Sequence, residues 1–325
     1  MGQQQTATVK LDNSQNKFEL SFAQKYGAFI FLAILYVGNC AFTNNFFSIN
    51  TFWLMFMQSF PTILCALGMT LVIASGGIDI SVGATMAFAG TLLAELMVNR
   101  DMPLLVCFIS CLTAALLVGA FNGYIIARFN VQPIVITLIT MMVFRGAAQF
   151  ITGGKPVPFS YLPLNSIANF RFWPQGMPIQ LPLAILFALI IAFIARKTVF
   201  GKQIEATGDN PQAARLAGIN VFWITIAVYA ICALMAGVAT TMEVGRVSQA
   251  EAARMGLNME MNAIAAVAVG GTSLTGGRAR VWGSVAGALI MQLITMTVNM
   301  HGLQSSWGMV AKAVVLILAV YLQYD

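Results

Sequence analysis

Residues 75–83 read SGGIDISVG and interrupt apolar sequence on both sides. Adjacent glycines remove side chains, permit dihedrals that other residues avoid, and release backbone groups from a helical ladder. In hydrocarbon, irregular backbone is tolerated only against protein or beside a water-filled cavity. Gly76 and Gly77 therefore predict a broken helix, with Asp79, Ser81 and Gly83 leading into the next one. A lone carboxylate at membrane depth is costly unless it is solvated, paired or capping a helix. Asp79 thus reads either as part of a gate or coupling element or, like Ser81, as the N-cap of the following helix.

Composition places that break in a membrane. Of 325 residues, 59% are hydrophobic and only 9% charged, whereas a soluble domain carries roughly a quarter charged residues. The chain reads as an all-α polytopic membrane protein. A spanning helix needs about 20 mainly apolar residues, and that window yields about ten transmembrane helices, near 27–46, 51–74, 82–98, 103–127, 131–152, 181–196, 221–243, 259–273, 281–300 and 307–323. The segments at 82–98 and 259–273 are short for a full span, which predicts helices that break, tilt or start inside the bilayer. The net charge of +6 comes from basic residues scattered between apolar runs, so no nucleic-acid patch is formed. Five cysteines lie in apolar segments, far in sequence from the single histidine, His301. They read as packing thiols rather than as disulfides or metal ligands.

Loop charge sets the orientation, because Lys and Arg are retained on the cytoplasmic side. With the N-terminus inside, the inner set is Lys10, Lys17, Lys25, Arg128, Arg196, Lys197, Lys202, Arg215, Arg278 and Arg280. The outer set is smaller: Arg100, Arg145, Lys155, Arg171, Arg246 and Arg254, with Lys312 inside the last span. Residues 1–25 form a cytoplasmic N-terminal tail and 26–325 the transmembrane domain. Within it, 153–180 is a long periplasmic loop rich in proline and aromatics, and 196–220 a cytoplasmic loop. Both termini are cytoplasmic.

The break has a counterpart later in the chain: Gly76, Gly77, Ile80, Ser81 and Gly83 align with Gly270, Gly271, Leu274, Thr275 and Gly277. Paired interrupted helices are a common way to build a central transport pathway. The inner loop, RKTVFGKQIEATGDNPQAARLAGIN, carries a short helix signature. Asp209 or Asn210 is its N-cap, Pro211 its first residue and Gly218 its stop. A two-turn helix with no core of its own needs a partner. Ala213, Ala214 and Ala217 are small enough for close docking, and Arg215 offers a charge-assisted contact. The alternative is an amphipathic helix lying on lipid headgroups.

These stretches resemble one family, the permease subunits of bacterial ABC importers for monosaccharides of the ribose, galactose and galactofuranose kind. GMTLVIASGGIDISVGA, VQPIVITL, RGAAQFITGG, FGKQIEATGDNPQAARLAGIN and NAIAAVAVGGTSLTGGRARVWGSVAGALI follow in the family's order, from about residue 50 to the last span. The galactofuranose branch is closest in wording. The resemblance implies residence in the bacterial inner membrane and a dimer with a second permease copy or a paralogue. It also implies ABC ATPase subunits binding ATP and Mg, and a periplasmic sugar-binding protein. The helix around Asn210, Pro211, Ala213, Ala214, Arg215 and Gly218 would seat in the ATPase. The chain itself has no phosphate-loop motif and is expected to be non-catalytic, without a cofactor or metal of its own.

Polar residues within apolar spans are the candidates for the solute pathway: Thr137, Thr140, Gln149, Asn262, Gln292, Thr295 and Asn299. Each has an equally physical structural role, hydrogen bonding to a neighbouring helix. Lys312 reads as snorkelling or pairing with another subunit, and Arg145 as lying at the outer mouth. An ion-coupled secondary transporter of a small polar solute, which also uses broken helices, is the alternative reading.

Overall fold

The computed structural model describes residues 26–159, 162–172 and 176–321. The N-terminal tail and the last four residues lie outside them. The elements are α1 (Tyr26–Phe42), α2 (Ile49–Ala74), α3 (Val82–Val98), α4 (Leu104–Phe129), α5 (Pro133–Ile151), β1 (Val157–Pro158), α6 (Leu162–Ala168), β2 (Arg171–Phe172) and β3 (Met177–Pro178). They continue with α7 (Gln180–Lys197), α8 (Val199–Asp209), α9 (Pro211–Leu216), α10 (Val221–Val247), β4 (Gln249–Ala250), α11 (Met259–Val269), α12 (Val281–Met300) and α13 (Ser305–Tyr321). Each apolar segment read from the sequence contains a helix, although 43–46 and 270–273 lie beyond the ends of theirs. α2, α4, α5, α7, α10 and α12 are long and apolar enough to cross a membrane, while α1, α3, α11 and α13 are shorter apolar helices.

α2 is the central helix, buried along nearly its whole length after Ser59 and packed against α7, α10, α11 and α12. Lipid is as apolar as leucine, so helices in a membrane associate through close packing and hydrogen bonds rather than through hydrophobic burial. Glycines spaced four apart provide that closeness here. Gly119 and Gly123 of α4 meet the α10 backbone, where a Cβ on Gly123 would lie 2.6 Å from Ile226 Cα. Gly283 and Gly287 of α12 meet Gly270 and the Ala266 carbonyl of α11 in the same way.

The two breaks are helix C-caps of one design. At the end of α2, Gly76 has φ +84° and donates to Ile73 O (2.9 Å), while Gly77 donates to Val72 O (3.0 Å). At the end of α11, Gly271 has φ +83°, with bonds from Gly271 N to Ala268 O (2.8 Å) and from Thr272 N to Val267 O (3.2 Å). Both are Schellman caps. Gly76 therefore corresponds to Gly271, one residue away from the sequence pairing of Gly76 with Gly270. The left-handed position just past each helix fixes the correspondence, not the first glycine of each pair.

Beyond the α2 break the chain turns back into the bundle before α3 begins. Gly77 lies under the Tyr229 hydroxyl, which a Cβ at Gly77 would approach to 2.5 Å. Tyr229 is eight residues into α10, or about 12 Å along its axis at 1.5 Å per residue. α11 also begins inside the bundle: the segment from Ser248 to Asn258 descends from the end of α10 until Gly256 O touches Gly83 near the start of α3. This explains why both segments look too short for a span.

The long loop after α5 is organised around that descending segment. β1 pairs antiparallel with β4, Val157 opposite Ala250 and Pro158 opposite Gln249, and β2 pairs with β3, Arg171 opposite Pro178. Pro158 and Pro178 are the last residues of β1 and β3, and among the described residues of the loop the seven-residue α6 is the one helix.

Candidate functional site

Three groups of residues carry functional chemistry, and the first is the α8–α9 elbow between α7 and α10. α9 is capped at both ends. The Asn210 side chain accepts from Gln212 N and Ala213 N, both at 3.0 Å, and Pro211 occupies the first turn, where its missing N–H costs nothing. Gly218, at φ +82°, ends the helix with bonds from Gly218 N to Arg215 O and Ile219 N to Ala214 O, both 3.0 Å. Ala214 is its buried residue and faces the chain's own bundle, whereas Pro211, Ala213, Arg215 and Leu216 face outward, Leu216 at 91% exposure. The surface offered to a partner is therefore centred on Leu216 and Arg215, and Ala214 anchors the elbow from within.

No helix is predicted from the sequence over α8. Its signal is present nonetheless: Thr198 caps it by accepting from Gly201 N (3.1 Å), and Gly201, Ile204 and Thr207, three apart, are its buried face. Lys202 and Glu205 pair at 2.9 Å on the exposed face. Gly208, in the last turn of α8, sits against both breaks.

The second group is an interior polar network around α3. Asp79 and Ser81 are wholly buried. Asp79 Oδ1 accepts from Ser81 N (2.9 Å) and Ser81 Oγ (2.6 Å), while Ser81, the N-cap residue of α3, makes no side-chain capping bond. The expected N-cap is thus replaced by an Asx turn one step earlier. Ser81 Oγ in turn accepts from Asn122 Nδ2 of α4 (2.9 Å), and Asn122 Oδ1 accepts from Thr140 Oγ1 of α5 (2.6 Å). Thr137, also buried, donates to Pro133 O (3.0 Å) and stands 3.4 Å from Ile78 O. Thr140 thus ties α5 to α4, and Thr137 places α5 beside the α2–α3 break.

Arg145 reaches inward and not to an open mouth. Its Nη1 donates to Ala252 O (3.0 Å) and Met255 O (2.5 Å), and its Nη2 approaches Gly256 O at 3.5 Å. A guanidinium presents several donors in a fixed fork, which suits a cluster of backbone carbonyls. Arg145 thereby holds the descending segment beside Gly83, with Glu260 of α11 adjoining. Glu251 and Arg254 of that segment pair with each other at 3.3 Å.

The third group lines a cleft of about 310 Å³ between α11, α12 and α13. Asn258, Asn262, Thr295, Asn299, Ser305 and Lys312 supply its polar groups, and Lys312 Nζ donates to Asn262 Oδ1 at 3.0 Å. Of the pathway candidates, Asn262, Thr295 and Asn299 are brought together here. Gln292 is committed elsewhere, bonded to Gln58 of α2 (2.9 Å), and Gln149 is exposed on the side of α5.

A family model described as the permease component of the branched-chain amino acid transport system matches residues 52–320. The chain belongs to this permease family. That match covers both breaks, the elbow and the cleft, and begins where the motif resemblance begins. The ribose import permease of Escherichia coli K12 is 35% identical over 317 residues, 96% of this chain and 98% of the relative. The galactofuranose transporter permease of the same organism is 38% identical over 263 residues, 81% of this chain and 76% of the relative. Its D-allose transport permease is 32% identical over 322 residues, 98% and 97% of the two chains.

Proposed function

We propose that this chain is the transmembrane permease subunit of an ATP-driven ABC importer that carries a monosaccharide, a pentose or hexose such as ribose or galactofuranose, into the bacterial cytoplasm. The observation that carries the reading is the elbow. A doubly capped helix packed on the bundle through Ala214 and presenting an almost fully exposed Leu216 fits the seat of an ATPase. Family membership and relatives named for ribose, galactofuranose and allose support the solute class.

In this reading α1–α5, α7 and α10–α13 make ten crossings of the inner membrane, with both termini and the 196–220 loop cytoplasmic and the 153–180 loop periplasmic. ATP and Mg belong to the ATPase subunit, a second permease copy or paralogue completes the pathway, and a periplasmic sugar-binding protein delivers the solute. The cleft suits a polyol: amides, hydroxyls and the Lys312 ammonium on an otherwise apolar wall exchange hydrogen bonds with sugar hydroxyls, and its volume falls in the small-molecule range of roughly 300–1,000 Å³. Purification of a tagged chain in mild detergent tests the assignment. An ATP-binding cassette protein should copurify in stoichiometric amount and be lost from Leu216→Asp. Its absence from the parent preparation would refute the reading.

A further inference from the structure

The two breaks and the elbow meet at one point. The last carbonyl of α2, Ala74 O, accepts from Gly277 N at 3.0 Å, so a carbonyl that a helix end leaves without an intrahelical partner is satisfied by the connection between α11 and α12. Gly208, in the last turn of α8, lies against that bond. A Cβ on Gly208 would overlap Ala74 O and stand 2.7 Å from Gly277 N, and a Cβ on Gly276 would stand 2.8 Å from Gly208 O. Gly76 faces the same residue, its Cβ position 3.7 Å from Gly208 Cα. Three backbones are in direct contact here, with the Asp209 carboxylate lying against Gly277 beside them. A little further along, Thr70 of α2 and Ser284 of α12 bond at 2.7 Å, so α2 and α12 are joined beside this junction.

We infer that Gly208 is a transmission residue: it couples displacement of the α8–α9 elbow to both breaks, and the Ala74–Gly277 bond is the clasp that parts during each transport cycle. Packed interfaces have discrete arrangements and do not deform continuously. A backbone seated on a backbone therefore passes on a small movement that flexible side chains would absorb. Because Gly208 touches both breaks at once, motion of the elbow reaches α2–α3 and α11–α12 together. The inference rests on α9 being the ATPase seat, and Leu216→Asp tests that seat separately.

The test uses the complete transporter purified with its ATPase. Gly208→Ala should keep the ATPase bound at parental stoichiometry yet lower sugar uptake at least tenfold and abolish stimulation of ATP hydrolysis by solute. A second variant works whether or not Gly208→Ala folds. Ser75→Cys paired with Arg278→Cys flanks the clasp, and its oxidation should cross-link the two breaks, stop uptake with the ATPase still bound, and be reversed by reductant; each single variant should be insensitive. Parental uptake in Gly208→Ala, failure of the pair to cross-link, or continued uptake by the cross-linked protein would overturn the inference. A parent complex without an ATPase would instead remove the seat on which it rests, and the inference with it.

Discussion

Replacing Asn122 with alanine tests whether α3, α4 and α5 are held as one unit around the first break. Asn122 is wholly buried and makes two interhelical bonds, to Ser81 Oγ at 2.9 Å and from Thr140 Oγ1 at 2.6 Å. Interhelical hydrogen bonds in membrane proteins contribute about 0.6 kcal/mol on average and up to about 1.7 kcal/mol, so losing two removes about 1.2–3.4 kcal/mol. The freed Thr140 hydroxyl can turn to a backbone carbonyl one turn back, which lowers the expected loss to about 1–3 kcal/mol. Thr140→Val removes only the shared bond and should destabilise by about 0.6–1.7 kcal/mol. Since the two variants delete that bond in common, the double variant should fall short of their sum by the same about 0.6–1.7 kcal/mol. Denaturant-driven unfolding in detergent, followed by tryptophan fluorescence, measures all four corners of the cycle. Additivity within about 0.3 kcal/mol would refute the network, because independent sites behave that way.

Three further outcomes follow from the geometry. Leu216→Asp should leave unfolding within about 0.5 kcal/mol of the parent, as expected for an exposed position, while reducing copurifying ATPase at least tenfold on a quantitative gel. Arg145→Met should release the descending segment, destabilising the protein by about 1.5–3 kcal/mol, the scale of a charge-assisted hydrogen bond. Tryptic cleavage at Arg254 should accelerate with it, and Arg145→Lys should recover only part of the effect, because an ammonium lacks the planar fork. For orientation, an impermeant maleimide should label Arg171→Cys in intact cells and Lys202→Cys only after permeabilisation.

Much of this architecture is legible in composition and spacing. Helix breaks at Gly76–Gly77 and Gly270–Gly271, the capped helix at Asn210–Gly218 and the short segments that start inside the bundle follow from local rules about glycine, capping and span length. Features that depend on the partner across a contact were not legible. Thr137 and Thr140 read in sequence as pathway hydroxyls, and only the fold brings Ile78 O and Asn122 within their reach. Arg145 near a span end looks like a mouth residue, but the carbonyls it binds lie more than a hundred positions away in sequence. Gly208 is one glycine in a polar loop, and only the meeting of α8 with both breaks gives it a role. Ala214 shows the same limit at short range: small and helical in sequence, it suits docking outward or anchoring inward equally well, and the fold selects the inward face.

The central claim is that the chain moves a sugar with energy taken from ATP. Uptake of labelled monosaccharide into proteoliposomes, with the permease, its copurifying ATPase and its periplasmic binding protein reconstituted together, measures this directly. The account predicts uptake that requires hydrolysable ATP on the ATPase side and is unchanged when ionophores collapse proton and sodium gradients. Uptake that proceeds without ATP and is abolished by those ionophores would contradict it.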